Sequence, residues 1–301
     1  MLKRIGAAAA LLLVLHTGAV AQTMRFTTNV GSFDMTLNPT NDANLQPIVD
    51  NIVAYIGLGR YHFSAVNRAA DGNAGAADDF VLQMGGFLGF PTVPELWANL
   101  HTPIEKFNDG VVVDGNGDGQ VDFTALSNTR GTVSLALSAG NPNSGTSSFF
   151  INLGSNAFLD DQGFVPFASI DNMSTIDKIM QLTQTDLSDE VGESGNLAYI
   201  DVPLTDKGRI VVVKDIEVIE ADEDFSFVGP IASALQIEAA RNAAAQNAAV
   251  SAPLAGLLQS EQLPAGDLAQ PNVSAVPEPS TLALGALGIF ASLLAARRGK
   301  K

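Results

Sequence analysis

The chain has no cysteine among its 301 residues, and only one tryptophan, three tyrosines and three histidines. The lack of cysteine excludes disulfides, thiolate catalysis and zinc sites built on cysteine ligands. The three histidines (His16, His62 and His101) are not spaced like a metal-binding set or a catalytic triad. Stability must therefore come from packing, and 46% hydrophobic residues with 28 glycines indicate a globular core with many turns.

Positive charge is also scarce, with 16 Lys and Arg against 32 Asp and Glu and a net charge of −16. Six of these cations lie at the two ends of the chain. Without residues 1–21 and 277–301, ten cations and 31 acids remain, which gives a net charge of −21. Because so acidic a body repels phosphate backbones, we do not expect nucleic acid to be a partner.

The N-terminal residues are typical of a secretory signal peptide. Lys3 and Arg4 precede the apolar run 5–15, and the small residues 19–21 offer a cleavage site. A membrane anchor is the alternative, but a span needs roughly 20 apolar residues and this run is shorter. We therefore predict that residues 1–21 form a signal peptide and that the protein is exported.

Residues 276–301 combine a Val-Pro-Glu-Pro box at 276–279, an apolar run at 280–296 and a basic end. This layout resembles the PEP-CTERM sorting signal of Gram-negative bacteria that make exopolysaccharide. The resemblance implies a transmembrane sorting helix with its basic end in the cytoplasm, and cleavage by an exosortase-like enzyme near the box. The mature protein would then be periplasmic, at the cell surface or extracellular after a transient stay in the inner membrane. An uncleaved tail anchor is the alternative.

Hydrophobic periodicity indicates a mainly β domain over residues 22–220. Residues 24–37 alternate with period two around a Gly-Ser break, as in a hairpin. Helical spacing of apolar residues predicts one helix at 45–58 and a second at 174–182. Many short strands with two helices favour a closed barrel, with further strands predicted at 80–84, 132–137, 149–153, 166–170 and 209–219.

The composition changes after residue 220. Residues 232–249 are rich in alanine, and residues 251–275 are rich in Pro, Ser, Gln and Leu. Because neither piece can bury much apolar surface, we interpret residues 221–275 as a partly helical linker. A helix packed on the barrel is the alternative.

Four short motifs follow one another inside the domain. They are Ala-Val-Asn-Arg at 65–68, Asp-Phe-Val-Leu-Gln-Met-Gly-Gly at 79–86, Ser-Ser-Phe-Phe at 147–150 and Phe-Leu-Asp at 158–160. In this order they resemble the cyclophilins, a family of peptidyl-prolyl cis-trans isomerases. The likeness spans about residues 24–219 and implies a closed antiparallel eight-stranded β-barrel capped by two α-helices. It also implies that no cofactor is required and that the substrates are proline-containing polypeptides.

The resemblance assigns Arg68 as the catalytic hydrogen-bond donor. A guanidinium that donates toward the prolyl nitrogen weakens the amide resonance behind the ~18–20 kcal/mol isomerisation barrier, so neither a nucleophile nor a metal is needed. The remaining matched residues would line the proline pocket or bind substrate backbone: Phe80, Val81, Gln83, Ala136, Ser148, Phe150, Phe158, Leu159 and Phe164.

Several positions depart from the family pattern. Asn67 stands where the family has His, Ser148 where it has Gln, and Phe164 where His or Tyr is common, while Leu137 lies where a polar residue is usual. These departures keep open a second interpretation. In it, the chain is a noncatalytic binding or adhesion protein of the extracellular polysaccharide matrix that uses the same groove.

A second candidate site is the loop that begins at Asp114. Oxygen donors at positions 1, 3, 5 and 9 (Asp114, Asn116, Asp118 and Asp122) with glycine at position 6 match a structural calcium loop. Position 12 is Ala125 rather than the usual glutamate. An Asp/Gly-rich hairpin turn without a metal is the alternative.

Overall fold

The computed structural model describes residues 21–71, 79–89, 100, 102–138 and 140–259. The predicted signal peptide, apart from residue 21, and the sorting segment 276–301 lie outside these residues. Among the described residues, no helix has both the length and the apolar character that crossing a membrane requires.

Eight strands form one antiparallel sheet, in the order β10-β1-β2-β7-β5-β6-β4-β3. A separate two-stranded sheet pairs β8 with β9. The strands are β1 (Thr23–Thr28), β2 (Ser32–Leu37), β3 (Ser64–Asp71), β4 (Asp79–Leu88), β5 (Thr132–Leu135), β6 (Phe149–Asn152), β7 (Pro166–Ser169), β8 (Thr183–Thr185), β9 (Val202–Leu204) and β10 (Val213–Glu220). The prediction of a mainly β fold with eight antiparallel strands is confirmed.

The two end strands of the large sheet meet through a few isolated bonds. Ala65 forms a single bridge with Val212, and the N–H groups of Phe63 and Val66 donate to the carbonyls of Val213 and Val211 at 2.9 and 2.8 Å. The described residues contain no continuous ladder between β3 and β10. The sheet is therefore strongly curled, and the fully closed barrel predicted from the sequence is not confirmed.

The core lies inside this curl and under two helices, α1 (Gln46–Gly57) and α2 (Ser174–Met180). In the β1–β2 hairpin, the paired residues Phe26 and Phe33 stack with ring centroids 5.2 Å apart. Helical spacing puts Ile48, Ile52 and their neighbours on the buried face of α1, where they are 0 to 2% exposed. The predicted helices at 45–58 and 174–182 are thus observed as α1 and α2.

Residues 183–204, which we call the flanking lobe, pack beside β3. Leu187, Tyr199 and Val202 are buried in a second apolar cluster that also includes Phe87 of β4. The lobe is attached to β3 by two hydrogen bonds, from the Ala69 N–H to the Asp201 carbonyl (2.8 Å) and from Asn67 Nδ2 to the Ala198 carbonyl (3.0 Å). The outer edge of β3 is therefore covered around Arg68.

A long helix, α3 (Val228–Gln259), follows β10 and begins against α1. Ala234 is buried at this contact, and a Cβ at Gly57 would lie 2.7 Å from the Ile231 side chain. Arg60 donates to both carboxylate oxygens of Glu238 at 2.8 and 2.9 Å. The first turns of α3 are thus a packed helix within the region 221–275 that composition favoured as a linker.

Candidate active site

Three of the predicted site residues lie in one row across neighbouring strands. Arg68 on β3 is paired with Gln83 on β4, and Gln83 is paired with Phe150 on β6. Directly paired residues of antiparallel strands project to the same face, and strands lie ~4.8 Å apart, so the row is about 10 Å long. Arg68 and Phe150, 82 positions apart in the sequence, therefore share one small patch.

The Arg68 guanidinium is buried, with 5% of the residue exposed. Its Nε and Nη1 groups have no hydrogen-bond partner among the described residues. Burial lowers the pKa of this guanidinium, and the nearby negative charge of Asp201 opposes that shift. Because buried donors are nearly always satisfied in native proteins, two orphan donors on one side chain point to a ligand or water that completes them.

Gln83 lies beside Arg68, and only one of the two polar atoms of its side-chain amide has a hydrogen-bond partner among the described residues. Its Nε2 donates to the Ser148 hydroxyl at 3.2 Å, and that hydroxyl donates in turn to the Met84 carbonyl at 3.4 Å. The buried Gln83 Oε1 has no partner among the described residues. The row therefore offers one acceptor next to two donors, which is the set that an extended peptide backbone can satisfy.

The predicted site residues also include two pairs of packed aromatic side chains. Phe150 is fully buried and meets Phe164 edge to face with centroids 5.6 Å apart. Phe80 stacks on Phe158 at 5.9 Å, and 38% of Phe158 is exposed. Leu159, directly after Phe158 in the sequence, is 1% exposed. These side chains are all apolar, and Phe158 has a solvent-facing surface that a proline ring could cover.

The two remaining predicted residues lie on the same face as the row. Val81 precedes Gln83 by two positions and is fully buried, while Ala136 follows Ser134, the partner of Phe150 on β5, by two positions. Period-two alternation places both with Gln83 and Phe150. Ala136 is half-buried, and its N–H donates to the Ser148 carbonyl at 2.8 Å.

Asp201 was not identified from the sequence as a site residue. It lies in the flanking lobe, 133 positions after Arg68, and no motif marks it. Burial raises the pKa of its carboxyl; Arg68 opposes this shift and Asp186 adds to it. Asn67, next to Arg68, stands where the family has His. It has a structural role, because its side chain donates to the Ala198 carbonyl in the flanking lobe.

The calcium site predicted at Asp114, Asn116, Asp118 and Asp122 is not supported. Among the described residues, no group of three or more acidic or histidine side chains is arranged to hold a metal ion. Asp114 instead accepts from the backbone of Gly117 and Gly119 at 2.7 and 2.8 Å, and Asp122 accepts from Gly115 at 2.6 Å. The carboxylates are turned toward backbone N–H groups, which fits the alternative of an Asp/Gly-rich turn.

Two family models match the chain. Residues 23–198 match the cyclophilin type peptidyl-prolyl cis-trans isomerase family, and residues 275–299 match the PEP-CTERM protein-sorting motif. A similar curated protein, peptidyl-prolyl cis-trans isomerase A of Dickeya dadantii, is 32% identical over 161 residues, which is 52% of this chain and 70% of the relative. The peptidyl-prolyl cis-trans isomerase of Acinetobacter baylyi is 31% identical over 186 residues, 60% of this chain and 82% of the relative.

Among solved structures, a cyclophilin type isomerase of Cryptosporidium parvum, crystallised in the presence of the dipeptide Ala-Pro, is 19% identical with a TM-score of 0.42. The match covers 67% of this chain and 100% of the Cryptosporidium parvum chain. The family match covers more than half of the 301 residues, and the curated relatives are matched over at least 70% of their length. The chain therefore belongs to the cyclophilin family of peptidyl-prolyl cis-trans isomerases and carries a PEP-CTERM sorting motif near its C-terminal end.

Proposed function

We propose that this isomerase acts on proline-containing polypeptides outside the inner membrane, with Arg68 as its catalytic residue. The observation that supports this proposal is the buried Arg68 guanidinium with two unpaired donors, in register with Gln83 and Phe150. A fixed donor in a desolvated site stabilises developing charge better than a solvated one, because it does not have to reorganise during the reaction.

In the proposed mechanism, apolar side chains hold the prolyl ring, and polar side chains bind the substrate backbone and the prolyl nitrogen. The prolyl ring lies against the exposed surface of Phe158, on which Phe80 stacks, and the more buried Phe150, Leu159, Phe164, Val81 and Ala136 form the apolar lining behind it. Gln83 accepts from a substrate N–H through its free Oε1 and is held in place by Ser148. Arg68 donates toward the prolyl nitrogen as the amide twists, which localises the nitrogen lone pair and lowers the rotation barrier.

The proposed location follows from the two ends of the sequence. An N-terminal signal peptide would start export, and a transmembrane segment within the sorting motif would hold the chain briefly in the inner membrane. An exosortase-like enzyme would then cut near the Pro-Glu-Pro box. The clients would be polypeptides of the periplasm, the cell surface or the extracellular space.

The test is the isomerisation rate of a short Xaa-Pro peptide in a protease-coupled assay. Arg68→Ala should lower kcat/KM by at least about tenfold, which corresponds to ~1.4 kcal/mol of transition-state stabilisation. Arg209→Ala is the matched control, because this exposed arginine lies outside the patch and its removal should leave the rate unchanged. Far-ultraviolet circular dichroism would check that both variants fold. Undiminished turnover by Arg68→Ala would remove the proposed donor.

A second candidate function is binding without catalysis, in the extracellular polysaccharide matrix. Ser148 stands where the family has Gln and takes up the Gln83 amide, so one of the family's substrate contacts is changed. A binder would retain the proline peptide, as measured by calorimetry, but would not accelerate isomerisation above the spontaneous rate. Acceleration that depends on Arg68 would dismiss this candidate.

A further inference from the structure

The outer edge of β3 is covered by residues that come from the flanking lobe. The Ala69 N–H donates to the Asp201 carbonyl, and Asn67 Nδ2 donates to the Ala198 carbonyl. These two bonds attach to the residues on either side of Arg68. The backbone of Asp201 is thus fixed beside the strand position that carries the guanidinium.

The Asp201 side chain supplies a negative charge to this buried guanidinium. Asp201 is half-buried, and the charges of Asp201 and Arg68 act on each other in both directions. The pair is not in hydrogen-bonding contact, because Arg68 is in none of the ion pairs within 4.0 Å among the described residues. Its Nε and Nη1 donors also stay unpaired.

This separation has a physical advantage for a residue that must bind substrate. An isolated buried cation carries a large desolvation cost and tends to move toward water. A carboxylate in direct contact would remove that cost but would occupy the donors. A carboxylate a short distance away lowers the cost through its field and leaves the donors free.

We propose that Asp201 is a positioning residue that compensates the charge of Arg68 while leaving its donors available to the substrate. This inference rests on the proposed role of Arg68. Asp201 itself does not touch the prolyl bond. Its loss would let the guanidinium shift toward solvent, so the effect should fall on kcat more than on KM.

The charged groups that act on Asp201 come from two elements. Arg68 on β3 stabilises its ionised form, and Asp186, directly after β8, disfavours it. Burial is the main cause that raises the pKa of Asp201 above the ordinary value of 3.8; Asp186 adds to this rise, and Arg68 opposes it only in part. As the pH falls through that raised pKa, Asp201 becomes neutral and the compensation is lost, so activity should show an acid limb.

The experiment measures kcat and KM against pH for the full protein and five variants. Asp201→Asn should lower kcat by about three- to tenfold, change KM by less than about twofold and abolish the acid limb. The substitution leaves the backbone bond from Ala69 in place. Asp186→Asn should retain full activity and move the acid limb to lower pH, because a like charge is removed. Asp189→Asn, an exposed acid of the same lobe, is the control and should change neither kcat nor the limb.

Arg68→Ala distinguishes failure of this inference from failure of the proposed function. If Arg68→Ala keeps full activity, the proposed function fails. If Arg68→Ala is impaired while Asp201→Asn keeps the wild-type kcat and pH profile, only the positioning role is overturned. Should Asp201→Asn fail to fold, the Asp186→Asn profile decides, and an unmoved acid limb would overturn the proposal. A further loss on adding Asp201→Asn to Arg68→Ala would also contradict it, because Asp201 would then act without Arg68.

Discussion

The contact between α3 and the C-terminal end of α1 should depend measurably on Glu238. Arg60 Nη2 donates to both carboxylate oxygens of Glu238, at 2.8 and 2.9 Å. The two side chains are 13% and 16% exposed. Glu238→Gln keeps the size and shape of the side chain but removes its charge. The remaining support for Arg60 is one bond to the Glu105 carbonyl at 3.0 Å, the distant Glu105 carboxylate and the Phe107 ring.

The expected cost follows from this geometry. Breaking a fully buried ion pair by removing one partner costs about 3 to 5 kcal/mol. Because both side chains keep some access to water and Glu105 partly compensates Arg60, we expect about 2 kcal/mol. For a domain of this size, 1 kcal/mol shifts Tm by roughly 2–4 °C, so Tm should fall by about 4–8 °C.

The assay is thermal unfolding followed by calorimetry and by far-ultraviolet circular dichroism. Glu105→Gln is the matched control, because this carboxylate is 78% exposed and lies 3.9 Å from Arg60. It should cost less than about 0.5 kcal/mol. If the two variants have the same Tm, or if Glu238→Gln melts only α3 while the sheet keeps its midpoint, the reasoning that joins α3 to the rest of the domain through this pair is refuted.

Two further predictions concern the stability of loops. Gly110 has φ +148°, and a Cβ there would overlap the Asn143 carbonyl, so Gly110→Ala should cost at least about 3 kcal/mol in urea unfolding. Gly117→Ala, at φ +75° with nothing nearby, should cost only about 1 kcal/mol, and equal losses would contradict the clash. Asp160 accepts from the Asn128 N–H and side-chain amide and from the Ser127 hydroxyl, so Asp160→Asn should lower the unfolding free energy by about 2 kcal/mol, measured by urea titration. The exposed Asp161→Asn should be near neutral, and a similar loss there would count against this network.

Local patterns predicted much of the sheet. The hairpin at 24–37 and the helix at 45–58 are encoded by alternation and helical spacing within a few residues, and they appear as β1, β2 and α1. The predicted strand at 209–219 is split, because Ile210 bridges to β9 and residues 211–212 bond to β3 before β10 begins at Val213. Such splits depend on distant partners that periodicity does not contain.

The candidate site was predictable where short motifs carried it and not elsewhere. The motifs placed Arg68, Gln83 and Phe150, and strand register then aligned them in one row. Asp201 could not be predicted, because its position depends on the flanking lobe folding back along β3. The loop at Asp114 shows a different limit of prediction from sequence. Its sequence specifies which oxygen donors are present, but whether they converge or turn toward backbone N–H groups depends on the folded loop.

α3 is the longest helix among the described residues. At 1.5 Å per residue its 32 residues reach about 48 Å, and the stretch 242–259 accounts for roughly 27 Å of that. Residues 242–249 are exposed, whereas Ala234 in the first turns of α3 is buried. Because the first turns of α3 pack on α1, the start of this helix has a fixed orientation relative to α1. The residues that follow α3 in the sequence therefore start from a point whose direction is set by how the first turns of the helix pack on α1.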